Sequence, residues 1–436
     1  MTSKLRPALL AASVWLLVFG SGCASFGGGS GVFAANADSA ETQDASKCEC
    51  EDEDAEAAAS ADQAGSDQAG SDQAGAEKAS EAPAHQARPP QAITSEEITF
   101  ESRGDELTGV IDRPKTAGGP LPAVVILHDA GPLDRRGVFA GSLGLQLPVE
   151  VAVYQELAEA LAQSGYMVLR YDKRTCVDGG PAGCDYPRSY IEDHREELAE
   201  ALSSDAEAAV EALREQRDAD PTRILLVGHG QGAELALAIN EEVDASAMVL
   251  LSPSPYPVDE VILHQSEISL AHLKARRARE GNTTLGTLLD EQIDALAQTR
   301  DEQQEAFAAL RAGEAEDSDV LDAPTRTWLG MFELHERAMS RLQQTRTPVL
   351  AIFGERDPSL PDDSAERFEE KMARLRPNAV ESMPHTSRLM VAVDDEENDS
   401  TQISEAAHRM ILEFLLETAE TPEAAEPASQ PSQPDV

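Results

Sequence analysis

One pentapeptide constrains this chain more than any other segment: Gly228-His229-Gly230-Gln231-Gly232. It follows an apolar run at 223–228 that contains Ile224, Leu225, Leu226 and Val227. A helical stretch begins at Gln231 and runs to about Asn240. A short continuous apolar run bounded by turn residues reads as a strand buried on both faces. Three glycines in five residues, set between such a strand and a helix, imply a turn crowded by the elements on either side of it.

The surrounding pattern repeats that alternation. Residues 98–101 and 107–111 read as antiparallel strands joined through Arg103-Gly104-Asp105. Further strands are predicted at 123–127, 167–171, 247–251, 349–353 and 380–383, and helices at 151–164 and 204–217. Strands alternating with helices specify an α/β fold with a doubly wound, mostly parallel sheet. The alternation breaks at 258–346, which is charge-rich and helical and carries no strand pattern. That length exceeds any compact loop, so it reads as a helical lid inserted over the C-terminal edge of the sheet, where α/β folds place their sites. Within it, 291–311 has Ile293, Leu296 and Leu310 on an inner face, as an amphipathic lid helix should.

The pentapeptide stands where a G-x-S-x-G nucleophile elbow belongs, between a buried strand and a helix. Here the chain resembles the α/β-hydrolases of the esterase and serine-aminopeptidase-like type. Four more segments carry the resemblance in order. Val124-Val125-Ile126-Leu127-His128-Asp129-Ala130-Gly131-Pro132, with Asp134-Arg135, is similar to the oxyanion-loop segment. Gly165-Tyr166-Met167-Val168-Leu169-Arg170-Tyr171-Asp172-Lys173-Arg174 is similar to a strand signature of the family. Pro348 to Asp357 resembles the strand that delivers the triad acid, and Met383-Pro384-His385 lies at the late-histidine position. The resemblance implies the α/β-hydrolase fold over 93–418, with Asp357 as acid and His385 as base. It also implies that the amides of Ala130 and Gln231 form the oxyanion hole. The nucleophile position then holds Gly230, and Asp129 and Thr175-Cys176 stand where the family has glycine.

Two functions compete on these residues. One is a hydrolase-derived binding or interaction protein with a degenerate triad, taking a small-molecule or peptide ligand. The other is an active ester- or amide-bond hydrolase in which His385 and Asp357 activate a water or serve an atypical nucleophile. His229 packs away from the pocket in such an elbow and is not expected to be the nucleophile. His128, His229 and His385 differ in side-chain direction, so no metal is expected, and no other cofactor.

The termini concern location. Lys4 and Arg6 precede an apolar stretch at 8–19, too short to span a bilayer, and then Gly20-Ser21-Gly22-Cys23. This resembles a bacterial lipoprotein signal, with Cys23 lipidated and 1–23 as the leader, although Gly20 stands where leucine is usual. Residues 24–92 read as a linker. Its 36–92 portion is poor in large apolar side chains and repeats Ser-Asp-Gln-Ala-Gly at 66–70 and 71–75. Such a stretch cannot offset its ordering entropy and is expected to be disordered, as is the tail at 419–436. The expected location is the cell envelope, through an N-terminal lipid anchor. In that oxidising setting Cys176 and Cys184, flanking a Gly/Pro-rich loop, are expected to form a disulfide, with zinc as the rival; Cys48 and Cys50 stay unassigned. The formal net charge of -45 argues against nucleic acid and anionic membrane surfaces as partners.

Overall fold

The computed structural model describes residues 90–139, 151–180, 183–185, 197–315, 319–321, 323–374, 377–393 and 402–420. The predicted leader with Cys23, nearly all of the linker with Cys48 and Cys50, and the tail beyond 420 lie outside the described residues.

Eight strands form the main sheet: β1 (Ile93–Ser102), β2 (Asp105–Pro114), β3 (Leu121–Leu127), β4 (Met167–Tyr171), β5 (Ala219–His229), β6 (Ala247–Leu251), β7 (Val349–Gly354) and β8 (Ala379–Met383). Their order is β1-β2-β4-β3-β5-β6-β7-β8. β2 runs antiparallel to both β1 and β4, and every other neighbouring pair is parallel. The helices are α1 (Val153–Gln163), α2 (Leu198–Arg214), α3 (Gln231–Val243), α4 (Val258–Glu280), α5 (Thr284–Ala312), α6 (Thr325–Gln344), α7 (Ser364–Lys371) and α8 (Glu405–Glu420). This is the predicted α/β-hydrolase architecture.

Strand alternation builds the two cores. In β3, Ala123, Val125 and Leu127 join one cluster with α2 and α3, while Val124 and Ile126 join the other with α1 and α8. Ile224 and Leu226 against Leu225 and Val227 in β5 repeat the division. Both faces of β3, β6 and the 224–227 run of β5 are covered, so these segments are apolar throughout and lack a polar alternation.

Several boundaries differ from the sequence expectation: β5 starts at Ala219 and α2 at Leu198, four and six residues earlier than expected, and two further differences have a plain physical cause. β1 starts at Ile93 because its first half is an exposed edge held by backbone pairing to β2, with Ser95, Glu96 and Glu97 on it. No apolar period marks such an edge. The insertion holds α4, α5 and α6 as expected, plus one strand pair, Asp319–Val320 with Ala323–Pro324. Two residues per strand are too few to carry a periodicity.

Candidate functional site

Gly230 joins β5 to α3 with φ 52° and ψ −113°. That positive φ is open to glycine and strained for other residues. The amide of Gly230 donates to the Leu251 carbonyl at 2.9 Å, and its own carbonyl accepts from Ala233 at 3.0 Å, which fixes the turn to β6 and to the helix it starts. Gly228 and Gly232 are required for another reason. A Cβ on Gly228 would overlap the Gly232 carbonyl and the Ala233 backbone, and one on Gly232 would overlap the Leu127 carbonyl at the end of β3. All three glycines of the pentapeptide therefore have a physical cause.

The space in front of Gly230 is filled. A Cβ built there would overlap Asp129 Oδ1, Asp129 Cγ and Arg388 Nη2, each closer than the 3.0 Å that real Cβ contacts observe. Asp129 Oδ1 accepts from the backbone amides of Ala130 at 2.7 Å and Gln231 at 3.1 Å. These are the two amides predicted to form the oxyanion hole, and they converge on a carboxylate oxygen of the protein itself. Arg388 completes the arrangement: Nε donates to Asp129 Oδ2 and Nη2 to Asp129 Oδ1, both at 2.8 Å. Asp129 is 1 % exposed and Arg388 9 %. Burial pushes the Asp129 carboxyl up, but Arg388 and the amide bonds outweigh it and hold it below its ordinary value. Burial likewise opposes the Arg388 charge, and Asp129 with Asp357 more than restores it.

Asp357 follows β7, and its side chain is 5 % exposed. Its Oδ1 accepts from the Ser359 amide at 2.9 Å and from the Ser359 hydroxyl, while its Oδ2 lies 3.4 Å from Arg388 Nη1. Arg388 Nη1 also donates to Ser359 Oγ at 2.9 Å. The expected Asp357–His385 pair is not formed. His385 sits at φ 51° in the turn after β8, is exposed, and has no side-chain hydrogen bond or ion pair among the described residues. Three residues later, Arg388 touches the acid and faces Gly230, where a base would have to stand. A guanidinium has no acceptor and is always charged, so it cannot take a proton.

A fully buried layer supports the ion pair. Lys173 Nζ donates to the Asp129 carbonyl at 2.7 Å and to Gln231 Oε1 at 2.9 Å. Burial lowers its ammonium to about 8 against the opposing charges of Asp129 and Asp205. The Asp129 amide donates to the Tyr154 hydroxyl at 2.9 Å, which lies 3.0 Å from His229 Nδ1. His229 Nε2 faces the Arg388 carbonyl at 3.1 Å, so Nε2 carries the hydrogen and Nδ1 accepts from Tyr154. Burial depresses the imidazole to about 4, and the ring acts as a neutral strut between the Tyr154 hydroxyl and the Arg388 carbonyl. His128 packs between the rings of Tyr154 and Tyr171, and neither ring nitrogen has a partner. The described residues contain no group of three His, Cys, Asp or Glu side chains arranged to hold a metal ion.

Thr175 Oγ1 donates to the Gly131 carbonyl at 3.1 Å, so the segment after β4 holds the Asp129 loop at two points. Cys176 and Cys184 form a disulfide immediately beyond it, and zinc has no place there.

Residues 149–387 match the serine aminopeptidase S33 family, just over half of the chain. The chain belongs to that family. Among proteins similar to this S33-family chain, esterase EstD of Thermotoga maritima is 29% identical over 253 residues, which cover 58% of this chain and 50% of EstD. The chain thus spans half the length of that curated relative. Similar solved structures include the α/β-hydrolase GrgF of a Penicillium species (17% identity, TM-score 0.44, covering 74% of this chain and 99% of that one). An esterase of Pyrococcus furiosus is another (16% identity, TM-score 0.40, 76% and 97%). The fold assignment rests on the strand order and the family match.

Arg388 is the functional residue that sequence reasoning missed. One signal pointed to it: an aspartate replacing glycine in a buried loop needs a buried cation. Arg388 is the cation that follows the late histidine.

Proposed function

We propose that this S33-family protein is an exported, lipid-anchored member that has lost hydrolysis and works by binding in the cell envelope. One observation carries the reading: Asp129 Oδ1 occupies both oxyanion-hole amides while Arg388 closes the space over Gly230. Position 230 offers no hydroxyl to attack, and the donors that would stabilise a developing oxyanion already hold an anion. Similarity to an esterase supports descent from a hydrolase. The alternative, a water activated by His385 and Asp357, has its base exposed to solvent and bonded to nothing in the site.

The test is turnover of short p-nitrophenyl esters. Native protein and Gly230→Ser are expected to be inactive, because the serine has no room and no base. The triple variant Asp129→Gly/Gly230→Ser/Arg388→His is expected to gain turnover, since it empties the hole and restores nucleophile and base together. Native turnover that is abolished by Asp357→Ala or by His385→Ala would overturn the proposal. For the anchor, a mass for the mature chain that stays the same with and without globomycin would remove the lipid on Cys23.

A further inference from the structure

Four of the chain's 35 Lys and Arg residues fall within six positions, as Lys274, Arg276, Arg277 and Arg279, in a chain of formal net charge -45. They lie in the last turns of α4, where no side chain beyond Leu270 is buried. Arg277 is engaged, with Nε donating to Asp290 at 2.7 Å and Nη1 to the Gly281 carbonyl at 2.6 Å. Lys274, Arg276 and Arg279 are exposed and have no ion pair or side-chain hydrogen bond among the described residues. Across the turn, Leu285 and Leu288 at the start of α5 are 38% and 51% exposed. Residues 271–291 carry those four cations against three anions, Glu280, Asp290 and Glu291, of which Asp290 is held by Arg277.

Cations in a last turn offset the helix dipole, which accounts for one or two of them. It does not account for two exposed leucines beside them. The α4–α5 hairpin is also long. Gln265 Nε2 reaches the Ser359 carbonyl next to the acid loop, and the helix runs on for fifteen residues, about 22 Å at the usual rise. That distance exceeds two Debye lengths at physiological salt, so the tip's field is its own rather than the body's. The expectation drawn from net charge, which disfavours anionic surfaces, treats the chain as uniform, and here it is not.

We propose that the α4–α5 tip is a membrane-docking element. Its free cations seat on the phosphates of an anionic bilayer, and Leu285 and Leu288 enter the boundary between headgroups and acyl chains. Basic side chains flanking a few apolar ones are the pattern of interfacial contact. A protein partner fits less well, because residues 258–306 contain no Phe, Tyr or Trp to anchor an interface. The proposal is independent of the reading of the filled centre.

The test is co-sedimentation of residues 24–436, which carry neither the apolar leader nor the acyl-bearing Cys23, with phosphatidylglycerol-containing vesicles and with pure phosphatidylcholine vesicles. Binding is expected to be roughly tenfold or more tighter on the anionic vesicles and to weaken with salt. Lys274→Glu/Arg276→Glu/Arg279→Glu should abolish that preference, and Leu285→Ser/Leu288→Ser should weaken binding roughly three- to tenfold. The charged positions are exposed, so an unchanged Tm serves as the folding control; Lys274→Gln/Arg276→Gln/Arg279→Gln replaces the charge reversal if it is perturbed. Equal binding to both vesicle types, or an anionic preference kept by the charge-reversed variant, overturns the proposal. Binding to polyglutamate without binding to vesicles also overturns it, in favour of an acidic protein partner.

Discussion

A carboxylate as buried as Asp129 persists only while its charge is answered, and here Arg388 and two amides answer it. Removing one partner is therefore far worse than removing both. Arg388→Met should cost about 3–5 kcal/mol, since it leaves a buried anion, whereas Asp129→Leu/Arg388→Met should recover most of that loss in urea unfolding. Additive single-variant costs in that cycle would mean that the pair is not coupled. His128 is the opposite case, a buried ring whose two nitrogens bond to nothing. His128→Phe should be neutral or stabilising by up to ~1 kcal/mol, because it removes polar atoms that were desolvated without return. His229 adds a pH dependence. Its folded value of about 4 lies below the ordinary 6.5, so between those values the unfolded chain binds the extra proton. Stability should hold above pH 6.5 and fall as pH drops towards 4, by at most ~1.4 kcal/mol per unit from this group. The depressed Asp129 carboxyl acts in the same direction below its ordinary value of 3.8. Urea midpoints of the native protein and of His229→Gln measured from pH 7 to 5 check this; a slope that His229→Gln keeps in full would refute the neutral-strut assignment.

At the scale of elements, the central strands were readable because they lie between two covered faces and so carry an unbroken apolar run, as 123–127 and 247–251 do. The elbow was readable because Gly228, Gly230 and Gly232 each answer a steric demand. The loop after β8 offered no comparable signal. Nothing in Met383-Pro384-His385-Thr386-Ser387-Arg388 says which side chain turns inward, and the positive φ that directs His385 outward is a property of the folded turn. The segment after β4 does have such a logic, since Lys173 and Thr175 hold the Asp129 loop and the Cys176–Cys184 bond closes the chain directly behind them. A disulfide joining residues 8 apart should contribute ~2–3 kcal/mol by restricting the unfolded chain. Cys176→Ser/Cys184→Ser should lower the urea midpoint accordingly, and an unchanged midpoint would leave the bridge without a role in holding the site.

The whole molecule is dominated by its charge. Residues 90–420 hold 30 Lys and Arg against 63 Asp and Glu, so the excess lies in the folded part as well as in the linker. Local pairs engage some of it: Arg103 bridges Glu197 and Glu200, and Arg341 bridges Glu241 and Glu242. Exposed pairs of this kind contribute little each, and 33 more carboxylates than cations remain to repel one another. Salt weakens both, but with 63 anions against 30 cations the net effect it relieves is repulsion. The buried bonds of Asp129 with Arg388, of Asp112 with Arg170 and of Asp205 with Arg174 are screened much less, because water and ions do not reach them. Raising NaCl from about 0.1 M to about 1 M shortens the screening length from about 10 Å to about 3 Å. The Tm should therefore rise by about 2–5 °C, most of it gained at the low end of the range. A Tm that falls with salt would mean that surface ion pairs, rather than repulsion, set the stability of this acidic domain.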